Sequence, residues 1–193
     1  MKTEEVLQAF RESGALLSGH FELRSGLHSP EYFQCALLLQ YPALAEKLCR
    51  AAAGDMRAAM GAAFRADGVI SPAMGGLFVG HEVARALGLR HLFVEKEEGR
   101  LVLRRGFQIR PGERYVVAED VVTRGGRVQE TIDIVKGAGA AVAAVIVLVD
   151  RSGGKARFDP PFFSLLRMEP VTYEPGNCPL CAAGGKAAHP GSK

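Results

Sequence analysis

Between residues 114 and 149 two apolar runs flank one helical pattern, and this arrangement restricts the fold more than any other part of the chain. Arg114–Ala118 reads as a strand, since Tyr115-Val116-Val117-Ala118 is apolar throughout. Val128, Ile132 and Val135 then recur on one helical face, and Gly137 or Gly139 ends that helix. Ala141–Val149 is a long run rich in β-branched residues, which suits a strand buried on both faces. Strand, helix and strand in that order imply a right-handed crossover and a parallel sheet.

The rest of the chain extends the alternation. Residues 3–17 have an amphipathic helical rhythm through Val6, Leu7 and Phe10, ending near Gly14 or Gly19. From there to about Leu39 turns mix with short extended pieces. Pro42 opens a helix whose predicted buried stripe is Leu44, Leu48, Ala52, Met56, Ala59, Met60 and Ala63. Gly68–Ser71 is a short strand, 72–76 a turn, and 77–87 a helix closed by Gly88. His91–Glu95 is the next strand, and Leu101–Leu103 with Gly106–Ile109 reads as a small hairpin or excursion around Arg104-Arg105. Ser71, Glu95, Glu119 and Asp150 all fall at strand ends, along the rim where parallel sheets bind ligands.

At 193 residues with 48% apolar residues, the chain reads as one soluble globular domain. A net charge of +3 is too small to argue for nucleic acid, although five arginines gather between Arg100 and Arg114. There is no apolar run of transmembrane length, and the N-terminal residues do not read as a signal peptide, so a cytoplasmic protein is expected. Four cysteines do not make a disulfide scaffold in a chain this long, and Cys35 and Cys49 read as small core side chains.

The joint between the central strand and its helix carries the chemistry. Glu119 and Asp120 end the strand, Thr123-Arg124-Gly125-Gly126 forms the turn, and Arg127 begins the helix. Glycines let successive N–H groups converge on an anion, and the helix adds its positive N-terminal end, so a phosphate is the natural occupant. Two adjacent acids cannot share that phosphate. They suit sugar hydroxyls or a hydrated Mg²⁺. Phosphate and hydroxyls one turn apart describe a ribose 5-phosphate. A plain strand–turn–helix joint with solvated acids is the competing reading.

Residues 115–127 resemble the phosphoribosyl-pyrophosphate motif of the type I phosphoribosyltransferases. Leu23-Arg24-Ser25-Gly26-Leu27-His28-Ser29-Pro30-Glu31-Tyr32-Phe33 is similar to a second block, found in the orotate phosphoribosyltransferases. With Val149-Asp150-Arg151 the resemblance spans roughly residues 4–170. It implies an α/β fold with a mostly parallel sheet flanked by helices and a small N-terminal hood. One domain would cover residues 1–175, its hood formed by about 1–40 and 150–175, with 176–193 as a C-terminal tail. The implied activity moves phosphoribose from phosphoribosyl pyrophosphate to orotate, in a Mg²⁺-assisted homodimer.

The resemblance also distributes roles. Lys96 and Asp120 would be catalytic, and the sugar donor would meet Lys96, Glu119, Asp120, Val121, Val122, Thr123, Arg124, Gly125, Gly126 and Arg127. Orotate would meet Arg24, Tyr32, Phe33, Thr123 and Arg151. Ala73-Met74-Gly75-Gly76 would be the pyrophosphate turn, and Mg²⁺ would be held mainly through substrate rather than by protein ligands. Three departures stand out. The long Lys- and His-rich loop of many family members is reduced to Glu95–Arg100, a lysine common in the pyrophosphate turn is Gly75, and Arg124 and Arg127 replace small or hydroxyl residues. A phosphoribosyltransferase for another base, or a regulator keeping this fold to bind phosphorylated ribose, are the other readings.

The tail holds Cys178-Pro-Leu-Cys181, a spacing able to grip zinc. A closed zinc site needs four ligands, and the only nearby third candidate is His189. A half-site completed by a partner subunit and a loosely ordered, metal-free tail are the alternatives.

Overall fold

In this computed structural model, residues 1–23, 25–169 and 171–190 are described. Helix α1 (Thr3–Glu12) buries Val6, Ala9 and Phe10, and at its start the Lys2 amide donates to Glu5 Oε2 at 3.1 Å. It is shorter than the expected 3–17, because Ser13 caps it and Gly14 turns the chain at φ +70°. Leu16 and Leu17 instead enter strand β1 (Leu16–Glu22), which pairs antiparallel with β2 (His28–Phe33) as a separate small sheet. A short helix α2 (Cys35–Leu39) follows where turns and short extended pieces were expected.

Pro42 is at the first turn of α3 (Pro42–Met60), as its fixed φ favours. The helix buries Ala45, Leu48, Cys49, Ala52, Ala53 and Met56, whereas Ala59 and Ala63 of the expected stripe are exposed at its end. Then come β3 (Gly68–Pro72), α4 (Gly75–Leu87), β4 (Arg90–Glu97), β5 (Arg100–Leu103), β6 (Arg114–Val122), α5 (Gly126–Gly137), β7 (Ala141–Asp150) and β8 (Phe162–Arg167). The tail adds a short α6 (Pro179–Ala182).

The main sheet has six strands in the order β5-β4-β3-β6-β7-β8, all neighbours parallel except β4 and β5. β4 and β5 join through Glu98-Gly99, both with positive φ, a two-residue hairpin turn. Of the two readings of Gly106–Ile109 the excursion holds, since Leu101–Leu103 pairs with β4 and residues 104–113 form no strand.

Alternate residues of the sheet feed two cores. Val69, Val116, Ala118, Ala144, Ile146 and Leu148 pack with α1, α2, α3 and α4 residues such as Phe10, Leu38, Leu48 and Val79. Ile70, Val117, Val145 and Val147 pack with Val128, Ile132 and Val135 of α5 on the opposite face. The sheet is thus buried on both sides, which is why β7 reads as an unbroken apolar run. Among the described residues no helix is long and apolar enough to cross a membrane.

Candidate active site

The chain order reverses between β3 and β6. From β3 the connection through α4 leads to β4 on one side, while β6 adds on the other and leads through α5 to β7. A crevice opens at the carboxyl ends of such a strand pair, and ligands of doubly wound sheets bind there. Everything that follows β3 and β6 therefore converges on one place.

Glu119 and Asp120 lie inside β6, which continues to Val122, rather than at its last residue. Glu119 is buried, and burial followed by the neighbouring Asp120 charge raises its pKa well above the ordinary carboxylate value. Burial also raises the pKa of Asp120, against the pull of hydrogen bonds from Glu119, Val121 and its own backbone. The Asp120 amide donates to Glu119 Oε1 at 3.2 Å, and the Val121 amide donates to Asp120 Oδ1 at 2.8 Å. Two interacting acids of this kind titrate as a pair and favour ligands that donate hydrogen bonds.

The 73–76 segment faces these acids. Gly75 and Gly76 form the start of α4, two residues earlier than expected. A Cβ on Gly76 would come within 2.7 Å of Glu119 Oε1, so only bare backbone fits against the carboxylate. Arg127, from the start of α5, reaches across and donates to the Ala73 carbonyl oxygen at 3.3 Å. Its positive charge favours the ionised form of both acids.

The segment expected to cradle a phosphate is a strand end, a glycine turn and a helix start. Val122 ends β6, Thr123 and Arg124 are exposed, and Gly125 caps α5 at φ +79°. A side chain at Gly125 would be strained by that φ, and its Cβ would meet Phe158 Cζ at 2.8 Å. The Gln129 amide donates to the Gly125 carbonyl, which begins the helix and leaves the amides of 126–128 directed out of its N-terminus.

Arg151 is just beyond β7, and its backbone amide donates to the Val122 carbonyl oxygen at 2.8 Å, tying this loop to the end of β6. Its guanidinium carbon is 5.4 Å from the centroid of the Phe33 ring. Burial draws its pKa downward, so it is a partly desolvated cation. Asp150 is fully buried, accepts from the Ser152 amide at 2.9 Å and meets Arg167 at 3.4 Å, which fixes the loop carrying Arg151. Phe33 is buried against Phe10, centroids 5.4 Å apart, so its underside belongs to the core. Tyr32 is partly exposed and packs on Phe21. Arg24 lies outside the described residues.

Cys35 was read as a core thiol. It is buried at the start of α2, and burial first, then Asp120, raises its pKa while Arg151 lowers it.

Lys96 is exposed near the end of β4, on the same rim as the β3 terminus, where the Ala73 amide donates to Val94. Arg104 and Arg105, which could have replaced the missing loop charges, are held by acids of their own hairpin. Arg105 meets Glu95 at 2.9 Å and Arg104 meets Glu97 at 2.8 Å. Between the β1–β2 hairpin and the tail, Cys178 and Cys181 come together with His20 and His28, not with His189, which pairs with Glu22 at 2.8 Å.

A parallel sheet whose switch point joins an acid pair, a glycine turn and a helix N-terminus has the form of a type I phosphoribosyltransferase, and the phosphoribosyl transferase domain family matches residues 38–174. The chain is 52% identical over 193 residues to the orotate phosphoribosyltransferase of Heliobacterium modesticaldum, covering 100% of both chains. It is 49% identical over 196 residues to that of Desulforamulus reducens, covering 100% of this chain and 98% of the relative. Among solved structures, the orotate phosphoribosyltransferase from Aeropyrum pernix superposes with a TM-score of 0.69 at 27% identity, over 84% of this chain and 93% of that one. The chain belongs to the orotate phosphoribosyltransferase family.

Proposed function

We propose that the protein transfers the 5-phosphoribosyl group from phosphoribosyl pyrophosphate to orotate, giving orotidine 5′-monophosphate and pyrophosphate. Full-length identity of 52% to an orotate phosphoribosyltransferase is the observation that carries this reading, and the rim geometry supports it. The amides of residues 125–128 take the 5-phosphate at the helix N-terminus. Glu119 and Asp120 accept hydrogen bonds from the ribose hydroxyls, which draws the pair toward its ionised form. The bare backbone of Gly75 and Gly76 lies beside them and admits the diphosphate. Arg151, stacked on Phe33, takes the orotate carboxylate, and a guanidinium can do so with two parallel hydrogen bonds.

As the C1–diphosphate bond lengthens, positive charge grows on the ribose ring, as it does in glycoside cleavage. The ionised acid pair stabilises that charge. Lys96, at the neighbouring strand end, is placed to meet the departing diphosphate. No protein nucleophile is required, since positioning and electrostatic stabilisation carry the reaction.

Mg²⁺ is part of this proposal as a partner of the substrate. Such an ion keeps several waters and is usually held by one or two carboxylates together with substrate phosphates, and Glu119 and Asp120 are the carboxylates nearest the diphosphate turn. With diphosphate and sugar oxygens added, Asp120 and Glu119 would face its shell of waters. The ion supplies charge neutralisation on the leaving group.

We further infer a cytoplasmic homodimer. Met74 and Phe78 expose apolar side chains (77% and 52%) beside the diphosphate turn, which suits a subunit interface. Sedimentation of the purified protein checks the assembly. The activity test is purified protein with Mg²⁺ and phosphoribosyl pyrophosphate, following orotate by its ultraviolet absorbance. Consumption of orotate but not of adenine, guanine or uracil is expected. Turnover of a purine instead, or binding without turnover, overturns the assignment.

A further inference from the structure

We infer that the tail and the hood hairpin are clamped together by a zinc ion bound to His20, His28, Cys178 and Cys181. The four potential ligand atoms all lie within 4.8 Å of one another. Cys178 Sγ is 3.6 Å and Cys181 Sγ 3.7 Å from His20 Nε2, and Cys181 Sγ is 3.3 Å from His28 Nδ1. With Zn–N near 2.0–2.1 Å and Zn–S near 2.3 Å, a tetrahedron has ligand–ligand edges of about 3.3–3.8 Å. The three sulfur–nitrogen separations already have that length. His20 Nε2 and His28 Nδ1 are closer, at 2.8 Å, in a direct hydrogen bond. Opening that pair by roughly half an ångström makes room for the ion between them.

The surroundings are those of a built site. His20 Nδ1 donates to the Gly185 carbonyl oxygen at 3.0 Å, which selects the tautomer with its Nε2 lone pair turned into the cluster. Cys178, the first residue of the C-x-x-C, is buried and Cys181, its last, is exposed. The Ala182 amide donates to the Cys178 carbonyl at 3.1 Å and the Gly184 amide to the Cys181 carbonyl at 2.9 Å, folding the C-x-x-C into a tight knuckle. Backbone pairing holds knuckle and hairpin in register: Ala188 bonds both His20 and Glu22, and Tyr173 pairs with His28. The two histidines, near the two ends of the β1–β2 connection, and the two cysteines at the tail give a closed S₂N₂ set, the donor chemistry of structural zinc. All four ligands come from one chain, so no partner subunit completes the site. Binding releases the two thiol protons to solvent and leaves two thiolates and two neutral imidazoles on the ion.

A two-stranded sheet is marginal by itself. A crosslink between residues more than a hundred positions apart restrains it in the folded chain and removes freedom from the unfolded one. The clamp therefore steadies the hairpin that presents Tyr32 and Phe33. The geometry that carries it is independent of the catalytic assignment.

The test is the metal content of the full chain, purified without a histidine tag and dialysed against metal-free buffer. About one zinc per chain is expected, with X-ray absorption showing two sulfur and two nitrogen neighbours. The Cys178→Ser/Cys181→Ser variant should bind added Zn²⁺ at least about 100-fold more weakly. Because that variant could lose its fold, Co²⁺ is also bound to the unaltered chain, where intense tetrahedral bands with sulfur-to-cobalt charge transfer are expected. Folded protein that carries no zinc and takes up neither Zn²⁺ nor Co²⁺ overturns the proposal. So does stoichiometric zinc retained by the double variant, or an absorption spectrum without sulfur neighbours.

Discussion

A Cβ placed on Gly75 would lie 2.3 Å from Oδ2 of Asp120, closer than any real contact allows. Asp120 cannot simply turn away, because its other oxygen is held by the Val121 amide at 2.8 Å and Glu119 is beside it. The position that carries lysine in many relatives of this fold is thus closed to any side chain while Asp120 keeps this conformation. Gly75→Ala should lower kcat/KM at least about 10-fold and destabilise the fold by about 1–3 kcal/mol, the usual cost of overpacking. Steady-state kinetics and thermal melts read both. Wild-type turnover in Gly75→Ala would mean that Asp120 moves freely and is not held for catalysis.

Asp120→Asn keeps the size of the side chain and the hydrogen bond from Val121 while removing its charge. Catalysis through charge stabilisation predicts a fall in kcat of about 100-fold or more. The melting temperature should hold or rise, since a buried, repelled carboxylate has been neutralised. An unchanged kcat would remove Asp120 from the mechanism.

Glu119 permits the opposite trade. Its pKa is raised by burial and by Asp120, so the folded state keeps its proton to higher pH than the unfolded state does. Stability from this group is full below the ordinary glutamate pKa and is lost as pH climbs through the raised value. At neutral pH and above, Glu119→Gln should therefore stabilise the free protein, by about 1–2 kcal/mol. It should also raise KM for phosphoribosyl pyrophosphate. Denaturant unfolding at acid and alkaline pH checks the sign: a variant less stable than wild type at pH 8 contradicts it.

Much of this architecture could be read before any coordinates, and the reasons differ by element. β7 and α5 were legible because burial on both faces of a sheet and on one face of a helix leaves a periodic imprint. The acid pair and Gly125 were legible because the whole cradle is local, with strand, turn and helix N-terminus contiguous in sequence. α2, of five residues, and β8, an edge strand with mostly partial burial, are too short or too mixed to show a period. The approach of Gly75 to Asp120 depends on tertiary folding alone. The tail cysteines were visible as a pair, but their partners lie more than a hundred residues away, and His189 was nearer only along the chain.

Arg151 is anchored from below by Phe33 and along its loop by Asp150, so its guanidinium is aimed before any ligand arrives. Arg151→Ala should raise KM for orotate by about 100-fold, the worth of a lost charge-assisted pair, with KM for the sugar donor within about 3-fold of wild type. Equal effects on both substrates would place Arg151 outside the base subsite. Phe33→Leu should show a milder shift in the same direction, because the stack is lost while the cation remains.

His91, near the start of β4, provides a pH signature. Its Nε2 is 2.8 Å from the Ser71 hydroxyl oxygen, and both pack against Gly80, where a Cβ would meet them at 2.4 and 2.5 Å. Burial first, then the nearby His81, lowers its pKa from 6.5 to about 4. As pH falls, the unfolded chain takes up this proton before the folded one, so stability declines between about pH 6.5 and 4 and the contribution is flat below that. Allowing for solvent screening at its partly exposed ring, the loss attributable to His91 is about 1–2 kcal/mol, or roughly 3–6 °C in melting temperature for a chain of this size. His91→Gln lacks the titrating group and should lose less stability over the same interval, whatever its stability at neutral pH. Melting curves of the two proteins from pH 7 to 4 decide the matter: profiles that stay parallel would show that His91 does not titrate there.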